Sequence, residues 1–294
     1  MLISFGLPVA GAWSSPDTIA RFAARADELG YHGLWTFQRL LVGADQELEP
    51  VYRSVLDPVV ALSYAAAHTS RIRLGVAVVN APFVSPVYLA KQAASLDVLS
   101  RGRLDLGLGS GWSDVEFTAT GGSTARRGAR LSEYLDVLHT LWSDDVSEFA
   151  GEFYTLPPSR MLPKPVQRPG PPVLLGGTAE VALRRAGRRA AGWIGSSRMN
   201  LDEIGAQVAV VRAAAEKAGR DPDTLRIICR GAVKDGSPLS GPVENIREAT
   251  ARIAAAGVTE LFYDLNWDPQ VGSPDVDPAA ATARAEELLE SLAP

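Results

Sequence analysis

The segment GRLDLGLGSGWSDVE, residues 102–116, has residue types and spacing that suit a binding site for a flat ligand. Its alternating leucines indicate a short buried strand, and Gly107, Gly109 and Gly111 remove side chains toward the carboxyl end. Bare backbone of this kind admits either a ligand or a tightly packed neighbouring strand, so the motif alone leaves both interpretations open. A nucleotide loop is disfavoured, because residues 112–122 contain no lysine and predict no immediate amphipathic helix.

A second candidate site is Gly176-Gly177-Thr178, which directly precedes a predicted helix over 179–189. Free backbone N–H groups and a hydroxyl at a helix N-terminus suit an anion such as a phosphate. A glycine turn with Thr178 as a simple N-cap is the alternative. Together with an aromatic rim, the motif favours a planar cofactor that carries a phosphate.

Aromatic residues follow the carboxyl ends of several predicted strands: Trp13, Trp35, Phe37, Trp112 and Trp267. Because the carboxyl ends of parallel strands meet at one end of a barrel, we expect four of the six tryptophans at one rim. Such a rim favours a large planar or apolar ligand, with packing of the rim itself as the alternative.

Side chains for acid, base or nucleophilic catalysis are scarce at the predicted strand ends. His32 precedes the second strand, and His68 and His139 fall on predicted outer helices. No Ser/His/Asp or Cys/His set can be assembled, and no His, Asp and Glu residues have metal-ligand spacing. A site rich in aromatic residues and glycines but poor in nucleophiles indicates that a bound cofactor carries the chemistry.

The elements that position these residues alternate regularly between strand and helix. Eight apolar strand patterns are predicted, at residues 2–8, 33–37, 72–79, the alternating leucines from Leu104 to Leu108, 173–177, 193–196, 225–233 and 260–265, and amphipathic helices follow them. This rhythm predicts an α/β fold, a parallel (β/α)8 TIM barrel, with a doubly wound open sheet as the alternative.

One segment interrupts this rhythm. After the fourth predicted helix, Arg130 to Trp142, residues 143–171 form a predicted insertion. It contains a hairpin of Val146–Phe149 with Phe153–Leu156 and a proline-rich tether. We expect the insertion to lie over the barrel of a single domain spanning 1–294.

Composition narrows the class of protein. The chain has 46% hydrophobic and 21% charged residues and a net charge of −5, without a clustered basic face, which argues against nucleic-acid binding. The single cysteine, Cys229, cannot form an intramolecular disulfide. No signal peptide or membrane span is recognised, so we expect no membrane partner and a cytoplasmic location.

The sequence resembles the luciferase-like monooxygenase superfamily, whose members bind FMN or the deazaflavin F420 in a (β/α)8 barrel. The resemblance is carried by ADELGYHGLW, residues 26–35, and by the longer segments 71–117, 126–142, 149–156 and 163–177. These segments occur in the family's order and cover most of the first two thirds of the chain. The resemblance therefore implies the barrel independently of the strand count.

The resemblance also implies which residues form the site. It places a bulge, often with a non-prolyl cis peptide, at Ala77-Val78 behind the cofactor ring, with Asn80 just beyond it. Ser110 and Gly111 would border the cofactor, and Gly176, Gly177 and Thr178 would receive its phosphate. The residues at the predicted strand ends, rather than the resemblance, suggest a substrate pocket formed by Trp13, Phe37, Arg39, Trp112 and Trp267.

This sequence departs from the family pattern at the end of the second strand. Many relatives have an acidic residue and a histidine there, whereas this chain has Gln38-Arg39. Gln38 could hydrogen-bond the cofactor ring, but Arg39 cannot serve as a general acid near neutral pH. Gln38 and Glu116 are the candidates for a catalytic role, and for Glu116 the ordering of a loop is an equal alternative.

Three functions are consistent with the sequence. The first is an F420-dependent oxidoreductase that transfers hydride between the deazaflavin and an organic small-molecule substrate. The second is an FMN-dependent two-component monooxygenase, and the third is a non-catalytic binder of flavin or an apolar ligand. The resemblance also implies a homodimer.

Overall fold

The structure is a computed structural model that describes residues 1–196 and 200–294. Within this part of the chain, strands and helices alternate. The elements, in chain order, are β1 (Leu2–Gly6), α1 (Pro16–Leu29), β2 (Gly33–Thr36), α2 (Pro58–Ala67), β3 (Arg73–Asn80), α3 (Pro86–Leu99), β4 (Leu104–Gly109), α4 (Asp114–Thr120), α5 (Arg127–Ser143), β5 (Ser147–Ala150), β6 (Thr155–Ser159), β7 (Val173–Gly176), α6 (Glu180–Arg189), β8 (Gly192–Ile194), α7 (Leu201–Lys217), β9 (Arg226–Ala232), α8 (Val243–Ala255), β10 (Glu260–Asp264) and α9 (Pro278–Ser291).

Eight parallel strands of the described residues close into a barrel in the order β1-β10-β9-β8-β7-β4-β3-β2. The predicted TIM barrel is therefore confirmed, and the open sheet is excluded because β1 pairs with both β2 and β10. Capping residues begin and end helix α1 where the sequence predicts. Ser15 caps α1 by accepting a hydrogen bond from Thr18 N, and Gly30 ends the helix at φ 85°.

The barrel interior is closed at the amino ends of the strands by a buried network of charges. Asp105 of β4 accepts hydrogen bonds from Arg73 and Arg226, and Arg226 also pairs with Glu260 at 2.8 Å. The indole of Trp35 donates to Glu260 at 2.9 Å. This network fills the amino end of the barrel, and the strands terminate at the opposite end.

The insertion follows α5 and begins with the predicted hairpin. β5 and β6 pair antiparallel, and β6 begins at Thr155, two residues later than the predicted start at Phe153. The tether then runs back along the side of the barrel, where Gln167 contacts Asp97 of α3 and the carbonyl oxygen of Leu104. The insertion thus packs on the flank of α3 and α5, and the expectation that it lies over the barrel is wrong for the tether.

Residues 114–120 form helix α4, which the sequence interpretation had missed. Ser113 is its N-cap and accepts a hydrogen bond from Glu116 N, while Gly121 ends it at φ 68°. Seven residues are too few to show a clear apolar period, so the capping residues were the available signal.

Among the described residues, no helix combines the length and apolar character that a bilayer-spanning segment requires. The same part of the chain has no group of three or more His, Cys, Asp or Glu side chains arranged to hold a metal ion.

Candidate active site

A cavity of about 380 Å³ opens at the carboxyl ends of the barrel strands. The residues that the sequence assigned to a cofactor all line it: Gln38, Ala77, Val78, Asn80, Ser110, Gly111, Gly176, Gly177 and Thr178. Three of the five residues assigned to a substrate pocket, Phe37, Arg39 and Trp112, also line it. The barrel thus brings together predicted residues from four strand ends, those of β2, β3, β4 and β7, and their binding roles remain predictions.

A bulge in β3 forms one wall of this cavity. The register between β3 and β4 shifts between Val76 and Val79, and the peptide bond Ala77-Val78 is cis, as the family resemblance implied. Because the extra residue pushes the backbone inward, Ala77 and Val78 face the cavity.

The glycines of β4 make room for that bulge. A Cβ on Gly107 would lie 2.1 Å from the carbonyl oxygen of Val76, and a Cβ on Gly109 would lie 2.6 Å from the side chain of Val78. Neither separation is sterically possible for an alanine. The packing of β4 against β3 therefore explains the glycines at positions 107 and 109. Gly109 and Gly111 also leave the cavity wall open to a flat ligand.

The polar end of the cavity lies between β7 and α6. Gly177 adopts φ 122°, and the N-cap of α6 is Ala179, which has no side chain to cap the helix. The alternative in which Thr178 is the N-cap is therefore wrong. The exposed hydroxyl of Thr178 and the uncapped first turn provide hydrogen-bond donors suited to a phosphate group.

Gln38 and Asn80 form a contact at the end of β2 and β3. The side-chain oxygen of Gln38 accepts a hydrogen bond from the backbone N of Asn80 at 2.8 Å. This bond fixes the orientation of Gln38, whose amide nitrogen is thereby left to donate to a ligand. Gln38 can position a cofactor, but a neutral amide does not transfer protons.

Glu116 does not line the cavity and holds a loop instead. Its carboxylate accepts hydrogen bonds from Arg39 Nη1 at 2.8 Å and from Leu40 N at 2.7 Å, and the residue is 1% exposed. The guanidinium of Arg39 also lies over the rings of Tyr52 and Trp112. Of the two roles left open for Glu116, the geometry matches the ordering of the loop after β2.

Arg230 of β9 lines the cavity and was missed by the sequence interpretation. It donates a hydrogen bond to the carbonyl oxygen of Ala77, and its Nε lies 3.5 Å from Asp264 Oδ2. Burial lowers the pKa of Arg230, and the charge of Asp264 opposes this. Burial likewise raises the pKa of Asp264, against the stabilising charge of Arg230.

The predicted tryptophan rim is largely wrong. Trp13 is fully buried and packs edge-on against Phe22 of α1, because the loop after β1 folds back and pairs Ala10 with Val55. Trp35 stacks on Phe262 inside the barrel.

Trp267 is 4% exposed and lies behind the cavity wall, against Phe37 and Tyr52. Of the described tryptophans, Trp112 alone lines the cavity, and this residue is 53% exposed.

The residues that line the cavity without having been predicted are Tyr52, Ile194, Gly195, Ser196 and Arg230. Tyr52 comes from a short 3-10 helix, Pro50–Tyr52, in a loop with no sequence period. Arg230 lies near the carboxyl end of an apolar strand. A charged residue at such a position is a sequence signal for a site residue, because a buried charge needs a partner and barrel sites lie at the carboxyl ends of the strands.

The sequence of residues 2–260 matches the family model described as luciferase-like monooxygenase. An uncharacterized protein of Mycobacterium tuberculosis is 36% identical over 246 residues, which cover 82% of this chain and 78% of the relative. The oxygenase component of the flavin-dependent trigonelline monooxygenase of Acinetobacter baylyi is 31% identical over 159 residues, 53% of this chain and 42% of the relative.

The fold is also similar to that of the coenzyme F420 dependent tetrahydromethanopterin reductase from Methanopyrus kandleri. The two share a TM-score of 0.76 and 18% identity over 99% of this chain and 98% of the reductase. The barrel and the bulge in β3 agree with the sequence match. The chain belongs to the luciferase-like monooxygenase family.

Proposed function

We propose that this protein is an F420-dependent oxidoreductase that transfers hydride between the deazaflavin and an organic substrate bound in the same cavity. The observation that carries the proposal is the cavity itself. It combines the β3 bulge, a side-chain-free wall at Gly109 and Gly111, and, at Gly177 and Thr178, an end next to an uncapped helix N-terminus that suits an anion.

The residues present fit a flat cofactor that carries a phosphate. Ala77 and Val78 would support the ring, and the amide of Gln38 and the hydroxyl of Ser110 would hydrogen-bond its edge. When bound, the deazaflavin supplies the hydride-accepting or hydride-donating centre.

The chain's own contribution is to position ligands and exclude water. Among the described residues that line the cavity, no Asp, Glu, His, Lys or Cys is present. Hydride transfer requires alignment of two reacting carbons more than it requires a protein acid or nucleophile, so this lining suits it.

A titration with both cofactors tests the proposal. We expect F420 to bind at micromolar concentration and to change the fluorescence of Trp112, which is half-exposed on the cavity wall. Binding of FMN at micromolar concentration without any binding of F420 would contradict it.

An FMN-dependent monooxygenase is the second candidate function. It is favoured by the 31% identity to the flavin-dependent monooxygenase component of Acinetobacter baylyi. Reduced FMN supplied to the protein should then drive oxygen uptake that depends on substrate. The first proposal instead predicts F420-dependent reduction or oxidation of substrate under anaerobic conditions.

A further inference from the structure

Positive charge dominates the wall of the cavity. Arg39 and Arg230 are the charged residues among the described cavity lining, and no carboxylate is part of that lining. The carboxylates that balance them, Glu116 and Asp264, are each 1% exposed and lie behind the wall. A ligand in the cavity therefore meets two guanidinium groups before any negative charge, which favours an anionic ligand.

Arg39 is held in place by an ion pair and two aromatic rings, although its Nε, like that of Arg230, is buried without a hydrogen-bond partner among the described residues. Its Nη1 bonds Glu116 at 2.8 Å, and its guanidinium is enclosed by the rings of Tyr52 and Trp112, with centroids at 4.5 and 4.4 Å. Binding a ligand anion directly would require Arg39 to leave both rings. It therefore contributes charge and a rigid aromatic surface without being the anchor.

Arg230 has donors to spare. An arginine has five N–H donors, and among the described residues Arg230 makes one hydrogen bond, to the carbonyl oxygen of Ala77. Its Nε is buried and has no hydrogen-bond partner there, since it lies 3.5 Å from Asp264. The side chain is 8% exposed, so the donors it presents to the cavity are almost completely desolvated.

Asn266 bonds one carboxylate oxygen of Asp264, Oδ1, while the other oxygen, Oδ2, faces Arg230 Nε at 3.5 Å. The backbone N and the side-chain amide of Asn266 donate to Asp264 Oδ1 at 3.1 and 2.8 Å. The ion pair with Arg230 is thus loose, and a planar carboxylate could engage the guanidinium in the paired geometry that arginine favours.

The surroundings of Arg230 also restrict the shape of the ligand. Its guanidinium lies 5.3 Å from the ring centroid of Phe37, and Tyr52 and Trp112 line the same cavity with their rings 6.0 Å apart. Aromatic walls of this kind favour a flat, unsaturated ligand.

We propose that Arg230 binds the carboxylate of the substrate, and that the substrate is a planar aromatic or conjugated carboxylic acid held against Tyr52 and Trp112. The redox step on such an acid rests on the proposed function. The binding of the acid does not, because Arg230 and the aromatic walls belong to the chain itself.

Calorimetric titration of the cofactor-free protein with three acids and their amides tests this inference. The probes are benzoate, cinnamate and 2-naphthoate, each paired with the uncharged amide of the same shape. We expect at least one acid to bind about tenfold or more tightly than its amide, and Arg230→Gln to abolish that difference while leaving the affinity for the amide unchanged.

Two further variants separate binding from folding. Arg230→Gln leaves Asp264 without its counter-charge, so the double variant Arg230→Gln/Asp264→Asn restores neutrality and should also lose the preference for acids. Arg53→Gln is the matched control, because Arg53 is half-exposed and pairs with Asp275 outside the cavity lining. It should retain the preference.

Equal affinity for every acid and its amide in the wild-type protein would overturn the inference. So would a preference for acids that survives in both Arg230 variants, or a loss confined to cofactor binding, which would place Arg230 on the cofactor. If acids bind through Arg230 but neither F420 nor FMN binds, the proposed function fails and the anion site stands.

Discussion

Arg39 and Glu116 form a buried ion pair in which Nη1 lies 2.8 Å from Oε2, with side chains 4% and 2% exposed. The pair joins the loop after β2 to helix α4, and Glu116 also accepts the backbone N–H of Leu40. Glu116, one of the two candidates for a catalytic role, therefore makes a structural contact at the edge of the cavity.

Removing one partner of that pair should be costly. We expect Glu116→Ala to lower the free energy of unfolding by about 3–5 kcal/mol, because it leaves the charge of Arg39 buried and unpaired. Glu286→Ala, which breaks an exposed pair with Arg21, should cost no more than about 1 kcal/mol. Urea denaturation measures both, and equal losses would show that the Arg39 pair has no special structural role.

Gly107 should not tolerate a methyl group. In Gly107→Ala the Cβ would meet the carbonyl oxygen of Val76 at 2.1 Å, so we expect a loss of about 1–3 kcal/mol or more from overpacking. Gly205→Ala is the control, because no atom lies within 4 Å of its Cβ position in helix α7. It should stabilise the protein by about 0.5–1 kcal/mol, and a similar loss in both variants would contradict the packing account.

The charge network at the amino end of the barrel should make the free energy of unfolding depend on pH. Burial alone would raise the pKa of Asp105, but Arg73 and Arg226 outweigh it and hold the pKa below its ordinary value. The carboxylate therefore contributes stability above the pKa of the unfolded chain, about 3.9, and this contribution is lost as pH falls through the folded value.

Asp105→Asn should accordingly be less stable than wild type by about 3–5 kcal/mol at neutral pH. Its free energy of unfolding should also fall less steeply than that of wild type below about pH 4. Chemical denaturation across this pH range measures both effects. Parallel pH profiles for the two proteins would show that Asp105 does not contribute through its charge.

Cys229 should be unreactive in the folded protein. Burial raises the pKa of this thiol, which is 3% exposed in strand β9. Since the thiolate is the reactive species, we expect iodoacetamide to leave the native protein unmodified at neutral pH and to label one cysteine per chain in urea. Rapid labelling without denaturant would show that β9 opens readily.

The sequence predicted the barrel and most of the cavity because their signals are local. Strand periods set the eight strands, the position after a strand placed Ser110, and the glycine pair before a helix placed Thr178, whereas Gln38 followed from the family resemblance. The cis peptide at Ala77-Val78 followed from the family resemblance, not from any local propensity.

What the sequence could not predict depends on contacts between distant segments. Arg230 lies 153 positions from Ala77 in the chain, yet the two hydrogen-bond across the barrel. Trp13 was misplaced because its loop folds back onto α1, a choice made by tertiary packing against Phe22. Strand ends identify one end of a barrel, but they do not determine which side chains turn toward its axis.

The most direct test of the central claim is equilibrium dialysis of F420 against wild-type protein and two charge-matched variants. Thr178→Asp places a negative charge where the phosphate is expected, and Thr155→Asp adds the same charge at an exposed position of β6. We predict one F420 per wild-type chain at micromolar affinity, a loss of about tenfold or more in Thr178→Asp, and no change in Thr155→Asp. Unchanged binding in Thr178→Asp, or no F420 binding by the wild-type protein, would contradict the account.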